Sequence, residues 1–259
     1  MRLSVEVAVA NFREGLAPVD SHGACRSGGS PASLSGLEFR LPRVGPRKMM
    51  GTLPLASGYI GPPMEVIPVT LQGIRIRLEP LALDRHFEGL AEIGLDSELW
   101  RWTLNIVETR DDLLRYLEEA LRAQAERKAL PFATVDRATG RVLGCTRFGN
   151  IEPDHRRAEI GWTWVGRPFQ RTFVNSEAKY LMLCHAFDTW HCGRVELKTN
   201  ALNRRSREAI LRIGAKEEGT LRKHAISDRG IVRDTVYFSI TDDEWPAVKA
   251  RLESMVAGG

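Results

Sequence analysis

No apolar run in these 259 residues approaches the roughly 20 that a membrane-spanning helix needs. Residues 1–10 are too short for a secretory leader and carry Glu6 inside their apolar part, so no leader is expected. Cysteine is scarce. Cys25, Cys145, Cys184 and Cys192 have no C-x-x-C spacing and no histidine partners at metal-ligand spacing. They read as plain thiols of a reducing compartment, which points to the cytoplasm and to no metal. The sequence also lacks G-x-S-x-G, H-E-x-x-H and a Walker loop, so serine-hydrolase, zinc-protease and P-loop chemistry have no foothold. A usable excess of positive charge is missing too. The net charge is +4, but residues 1–63 hold seven Lys/Arg against four Asp/Glu, leaving 30 against 29 for the rest. That balance gives the folded part no pull on nucleic acid.

What remains is 43% hydrophobic and 27% charged, ordinary for a globular protein. Residues 1–63 carry 9 of the 23 glycines and 7 of the 13 prolines, with no helical or strand period among their apolar residues. Such a stretch buries too little to offset the entropy of ordering it, so residues 1–65 are expected to be a disordered extension. Met64 opens a fresh pattern, which makes a mis-set start an open possibility. The domain is expected over 66–252, with a flexible tail over 253–259.

Ile74, Ile76 and Leu78 alternate with Arg75, Arg77 and Glu79, the pattern of a half-buried strand. Asp84 is placed to cap a helix carrying Phe87, Leu90 and Ile93. Thr109 and Asp112 form a capping-box signature ahead of a long helix with Leu113, Leu117 and Ala120 on one face. A hairpin follows over 132–148, turning at 137–140, and then a strand over 158–165. The remaining elements are a helix over about 174–190, a strand over 195–199, a helix over about 203–213, two strands and a last helix. Hairpins first, then strands interleaved with helices, predict an α+β (mixed α/β) single domain around one sheet.

Two strand-to-helix junctions carry the candidate chemistry. The first runs from Glu159 through Trp162, Trp164 and Val165 to Gln170, Arg171, Thr172, Phe173, Val174 and Asn175. A helix starting there presents unpaired N–H groups and the positive end of its dipole, suited to a pyrophosphate, and Arg167 and Arg171 add charge nearby. The second runs from Val195 to Asn203, Ser206 and Gly214, with Asn203 and Ser206 three apart on one side of a helix start. Taken without the first junction, Asn203 reads as a simple N-cap with Ser206 its neighbour. Trp162 and Trp164, two apart on a strand, share a face, where they serve either core packing or an acceptor groove. Trp100 and Trp102 fall between the first two helices.

Together the stretches 174–179, 194–199, 203–206, 214–219 and 233–240 resemble the GNAT superfamily of N-acetyltransferases, in its RimJ- and RimL-like branch, over nearly all of residues 66–250. The resemblance implies a mostly antiparallel sheet of about seven strands and acetyl-CoA as co-substrate. It implies direct attack by a primary amine, either a protein N-terminus or a small molecule, in a monomer or homodimer. The family's phosphate loop, Gln/Arg-x-x-Gly-x-Gly/Ala, aligns with residues 170–175, where Phe173 and Asn175 replace the glycines. Trp164 and Val165 would pair with the pantetheine arm, Asn203 would contact the same arm, and Ser206 would stabilise the departing thiolate.

An α-amine, with a pKa of about 7.7–8.0, is on the order of 10% neutral at pH 7, against roughly 0.04% for lysine. The former needs at most a water-relayed carboxylate. Glu159 is the candidate, with a solvated charge opposite Arg156 or Arg157 as the alternative; His224 is a second candidate base. Phe173 keeps open a non-catalytic acyl-CoA-binding module, and the basic extension keeps open an RNA- or ribosome-associated protein.

Overall fold

A computed structural model describes residues 63–258; the proposed extension, apart from its last three residues, lies outside the described residues. Eight strands form one sheet: β1 (Leu71–Gln72), β2 (Ile76–Pro80), β3 (Leu130–Asp136), β4 (Val142–Glu152), β5 (Arg157–Val165), β6 (Arg194–Asn200), β7 (Lys216–Ile226) and β8 (Val232–Thr241). Their order is β1-β2-β3-β4-β5-β6-β8-β7, every neighbouring pair antiparallel except β5 with β6. Among the described residues six α-helices accompany them: α1 (Leu83–Gly94), α2 (Ser97–Trp100), α3 (Arg110–Ala125), α4 (Phe173–Cys184), α5 (Arg204–Arg212) and α6 (Trp245–Ala257).

Local chemistry explains several of the element ends. Thr109 Oγ1 accepts the Asp112 amide at 3.1 Å and Asp112 Oδ2 accepts the Thr109 amide at 2.9 Å, so the capping box closes with aspartate in the usual glutamate's place. Asp136 Oδ1 accepts from the amides of Ala138 and Thr139, which folds the β3–β4 turn before Gly140 adopts φ +73°. Asp84 is not the cap of α1. The cap position is Ala82, whose amide donates to His86 Nδ1 at 3.1 Å, and Asp84 lies within the first turn. Ile74 is not in the strand either: it sits in the β1–β2 turn, 66% exposed, and regular alternation begins at Ile76. The helix expected to reach 190 is α-helical only to Cys184 and continues as a π turn, in which the Trp190 amide bonds the His185 carbonyl at 2.9 Å.

The core has two parts. One holds Phe132, Phe148, Ile160 and Val195 with α4 and α6 residues such as Met182 and Leu252. The other holds Leu90, Trp100, Leu113, Leu117, Cys145 and Trp164 with α1, α2 and α3. Both margins of the proposed domain shift outward. Met64 is buried in the first core and Trp190 Nε1 donates to the Glu65 carbonyl at 2.9 Å. At the other end α6 continues to Ala257, Val256 is buried and Arg75 donates to its carbonyl, so residues 253–257 are helix rather than tail.

Candidate active site

The site begins with a defect in the sheet. Parallel β5 and β6 are paired only at Arg157↔Arg194, Ala158↔Val195 and Glu159↔Glu196, although both strands run on to Val165 and Asn200. Against β4, Cys145 pairs with Trp164 but Arg147 pairs with Gly161, so β5 carries one extra residue there. Trp162 sits at that point with φ +48°. An extra residue on one strand bends it and strengthens its twist, which accounts for the divergence from β6. The bulge also changes faces. Ala158 and Ile160 pack with the first core, and simple alternation would send Trp162 and Trp164 there too; instead both pack with the second. They share a face, as i, i+2 spacing expects, but the bulge decides which one. The Trp162 carbonyl accepts the Tyr116 hydroxyl at 3.4 Å, and the indole lies so close over Gly149 that a Cβ there would clash with it.

The backbone of β5 faces the opening. The Gly166 amide bonds the Leu143 carbonyl at 2.8 Å, so antiparallel alternation makes Cys145–Trp164 the next bonded pair and turns the N–H and C=O of Val165 to the splayed edge. Gln170 Nε2 bonds that Val165 carbonyl at 2.8 Å and Gln170 Oε1 accepts from Arg205 Nη2 at 2.7 Å, linking β5 to α5. Trp164, also lining the opening, has a buried indole N–H without an acceptor.

Between the strands lies a cleft of about 1600 Å³. It is bordered by Glu159–Val165, Leu197–Thr199, Gln170–Phe173 and Asn175 at the start of α4, and Asn203 and Ser206 at the start of α5. Thr172 caps α4, its hydroxyl accepting the Val174 amide at 3.4 Å; neighbouring first-turn amides have no intrahelical acceptor. The Arg75 guanidinium stacks on the Phe173 ring at 4.1 Å, and Phe173, half-buried, packs against the first core while also lining the cleft. Fully buried Glu177 accepts from the amides of Arg75 and Ile76 at 2.8 and 3.3 Å, which fixes the segment that carries Arg75. Arg167 is not mobile charge: its guanidinium makes a bidentate pair with Asp96 at 2.6 and 2.9 Å, and Asp96 is held below the usual carboxylate range by that bond. Arg171 is exposed, in the left-handed region at φ +62°.

Asn203 is the N-cap of α5, its Oδ1 accepting the Ser206 amide at 3.1 Å, and both side chains still line the cleft. The cap reading and the cleft reading are therefore compatible: the cap holds Asn203 and Ser206 in place. Gly214 follows the C-cap of α5 at φ +103°, a conformation that favours glycine.

Glu159 is 2% exposed and pairs with neither Arg156 nor Arg157. Arg157 goes to Glu152 and Glu196, and Arg156 Nη1 donates to the Trp190 carbonyl. Lys198 Nζ at 2.9 Å and Asn150 Nδ2 at 2.7 Å both meet Glu159 Oε2, while Oε1 lies toward Gly161 on the cleft wall. His224 is exposed on β7, edge-on to Tyr237, and is not among the cleft-lining residues. Trp100 is a buried wall bonded to the Gly94 carbonyl, whereas half-buried Trp102 borders the cleft.

Four cleft-associated groups escape a sequence reading. Lys198 and Arg233 look like alternating surface charges of β6 and β8, and Tyr116 like an ordinary helix residue. Lys179 is 6% exposed, its Nζ donating to Thr163 Oγ1 at 2.7 Å, and burial pulls its pKa from 10.5 down to about 7. Its signal was a lysine between Ala178 and Leu183 on the buried face of α4. Among the described residues no three His, Cys, Asp or Glu side chains gather as a metal site requires, and no helix is long and apolar enough to cross a membrane.

A family model described as an acetyltransferase (GNAT) domain matches residues 75–216, more than half of the chain. YdaF of Bacillus subtilis, provisionally named a ribosomal N-acetyltransferase, is 30% identical over 110 residues, covering 42% of this chain and 59% of its own length. A GCN5-related N-acetyltransferase structure from Brucella melitensis is 29% identical, with a TM-score of 0.68 over 73% of this chain and 86% of its own. At the level of fold alone, Mycobacterium smegmatis RimJ in complex with CoA-disulfide, 23% identical, superposes with a TM-score of 0.63 over 74% of this chain and 96% of that one.

Proposed function

The chain belongs to the GNAT family of acetyl-CoA-dependent acyltransferases, and from that premise we propose that it moves the acetyl group of acetyl-CoA to a primary amine by direct attack. The observation that carries this reading is the convergence of the splayed β5 edge, the α4 N-terminus and the capped start of α5 on one cleft. Acetyl-CoA brings the activated thioester. The first-turn amides of α4, between Thr172 and Asn175, suit its pyrophosphate, and exposed Arg171 adds a charge beside them. The Val165 N–H at the open edge suits the amides of the pantetheine arm, with Trp164 as its neighbour and the Asn203 side chain opposite. Gln170 ties the Val165 carbonyl to Arg205 and so sets the spacing between β5 and α5.

The amine enters from the side bearing Trp162, Trp102 and Glu159. Aminolysis of a thioester is downhill, so alignment supplies most of the rate; well-oriented pairs reach effective molarities of about 10⁵–10⁸ M. Glu159 takes the amine's proton through water on Oε1, while Oε2 stays anchored to Lys198 and Asn150. Ser206 donates to the thiolate as the C–S bond breaks. The name of YdaF, which points to ribosomal substrates, favours an amine of a protein as the acceptor. The test is thiol release from acetyl-CoA across a panel of α-amine peptides and small amines. Amine-dependent release supports transfer; CoA binding without release for any amine supports a binding module instead.

A further inference from the structure

The acetyl-transfer reading leaves the acceptor's chemistry open, and the far end of the cleft narrows it. In the β6–β8 register Lys198 faces Tyr237 and Asn200 faces Thr235, so alternation puts Arg233, Thr235 and Tyr237 on the sheet face that carries Lys198 and, through Glu159↔Glu196, Glu159. The opposite face, with Val195, Leu197, Val236 and Phe238, is core. Arg233 is half-buried and borders both the main cleft and an adjoining pocket of about 280 Å³ that it shares with Trp102, Leu104 and Asn105.

The bonds of Arg233 are neutral ones. Nε donates to Thr235 Oγ1 and Nη1 to the Trp102 carbonyl, each at 3.2 Å, which engages two of its five N–H donors, and among the described residues no carboxylate lies within ion-pair distance of it. Among the nearby acids, Glu159 pairs with Lys198 and acts on Arg233 through its charge at longer range, Asp234 accepts the Lys223 amide, Asp228 accepts the Ile106 amide, and Glu108 faces Arg229 at 3.7 Å. A second cation stands behind the wall: Arg147, 6% exposed, stacks on Trp162 at 4.8 Å and Tyr116 at 5.1 Å, and no carboxylate lies within ion-pair distance among the described residues. Lys198, Arg233 and Arg147 thus surround the carboxylate of Glu159, which pairs with Lys198 and reaches Arg233 only at longer range, so neither guanidinium has a carboxylate in ion-pair contact among the described residues. Two desolvated guanidinium groups are costly to keep in this way unless an anion completes them.

We propose that Arg233 binds a carboxylate of the acceptor, so that the substrate is a primary amine with a carboxylate close to it. Two sources share that chemistry: the α-carboxylate of a free amino acid, and an acidic side chain at the start of a peptide. The inference rests on the acetyl-transfer reading and deepens it. The planar fork of Arg233 suits a carboxylate in two-point contact, which a lysine would meet only as a point charge.

The experiment uses the full chain with saturating acetyl-CoA. Acceptors are paired so that they differ only in carboxylate against carboxamide: amino acids with their amides, and peptides beginning with Asp or Glu with their Asn or Gln counterparts. Rates are referred to the neutral amine, so that differences in amine pKa do not enter. The carboxylate member of one pair is expected to be favoured about 10- to 100-fold in kcat/KM, the range of a charge-assisted bond, and the favoured pair identifies the source. Arg233→Gln should remove that preference by lowering the rate of the carboxylate member selectively, and Arg233→Lys should restore part of it. Equal rates within every wild-type pair, or an equal loss for both members in the variant, would overturn the subsite and leave acetyl transfer standing. If Arg233→Gln does not fold, the wild-type pairs and Arg233→Lys decide. Failure of every amine to be acetylated while CoA still binds would overturn the transfer reading, and the subsite with it.

Discussion

Replacing Lys179 by methionine keeps the long apolar stem in α4 and removes a buried charge. In the folded protein burial holds the ammonium's pKa near 7, against 10.5 for an exposed lysine. Between those two values the unfolded chain binds a proton that the folded chain has released, so wild-type stability rises with pH through that window. Below about pH 7 both states carry the proton and the full penalty applies, at most ~5 kcal/mol. The variant lacks this penalty and also lacks the 2.7 Å bond to Thr163, whose hydroxyl still pairs with Thr146 at 2.7 Å; that loss offsets ~1 kcal/mol. Lys179→Met should therefore be the more stable protein at pH 7, and its advantage should shrink by ~2 kcal/mol between pH 7 and pH 9. Urea unfolding of both proteins at pH 6, 7, 8 and 9 reads this difference, and titrations common to both cancel in it. An advantage that stays constant from pH 6 to pH 9 would refute the reasoning, because Lys179 would then keep its proton in the fold.

Further expectations concern turnover. Glu159→Gln should lower kcat by ~10- to 100-fold, toward the low end of general-base effects, with CoA affinity unchanged; an equal rate removes Glu159 from proton transfer. Ser206→Ala should likewise lower kcat with little effect on CoA affinity, and an unchanged rate would leave Ser206 as a neighbour of the cap alone. Gly149→Ala puts a methyl group against the Trp162 indole and should raise the acceptor KM while sparing CoA binding; a matching loss of CoA affinity would place Trp162 on the cofactor side.

Much of the fold was legible because the signals are local. The Thr109–Asp112 box, the Asp136 turn and the alternation from Ile76 to Glu79 depend on nearby residues and close as their chemistry requires. The cleft's position followed from two strand-to-helix junctions. The bulge did not: Trp162 in a left-handed conformation depends on Gly149 making room and Tyr116 satisfying its carbonyl, contacts 13 and 46 residues away. The same holds for Glu159, whose partners Asn150 and Lys198 come from two other strands, and for Lys179, whose unusual chemistry is a product of burial alone. Phe173 looked obstructive as an isolated substitution. The placement of its ring depends on Arg75, nearly a hundred residues earlier, which stacks on it.

The account depends on the opening between β5 and β6 holding CoA by its diphosphate and its amide arm, and calorimetry of CoA injected into the full chain tests this most directly. It predicts saturable heat for a single site, clearly stronger for CoA than for pantetheine, which lacks the pyrophosphate that the start of α4 would hold. No heat with CoA or acetyl-CoA up to millimolar concentration would contradict it.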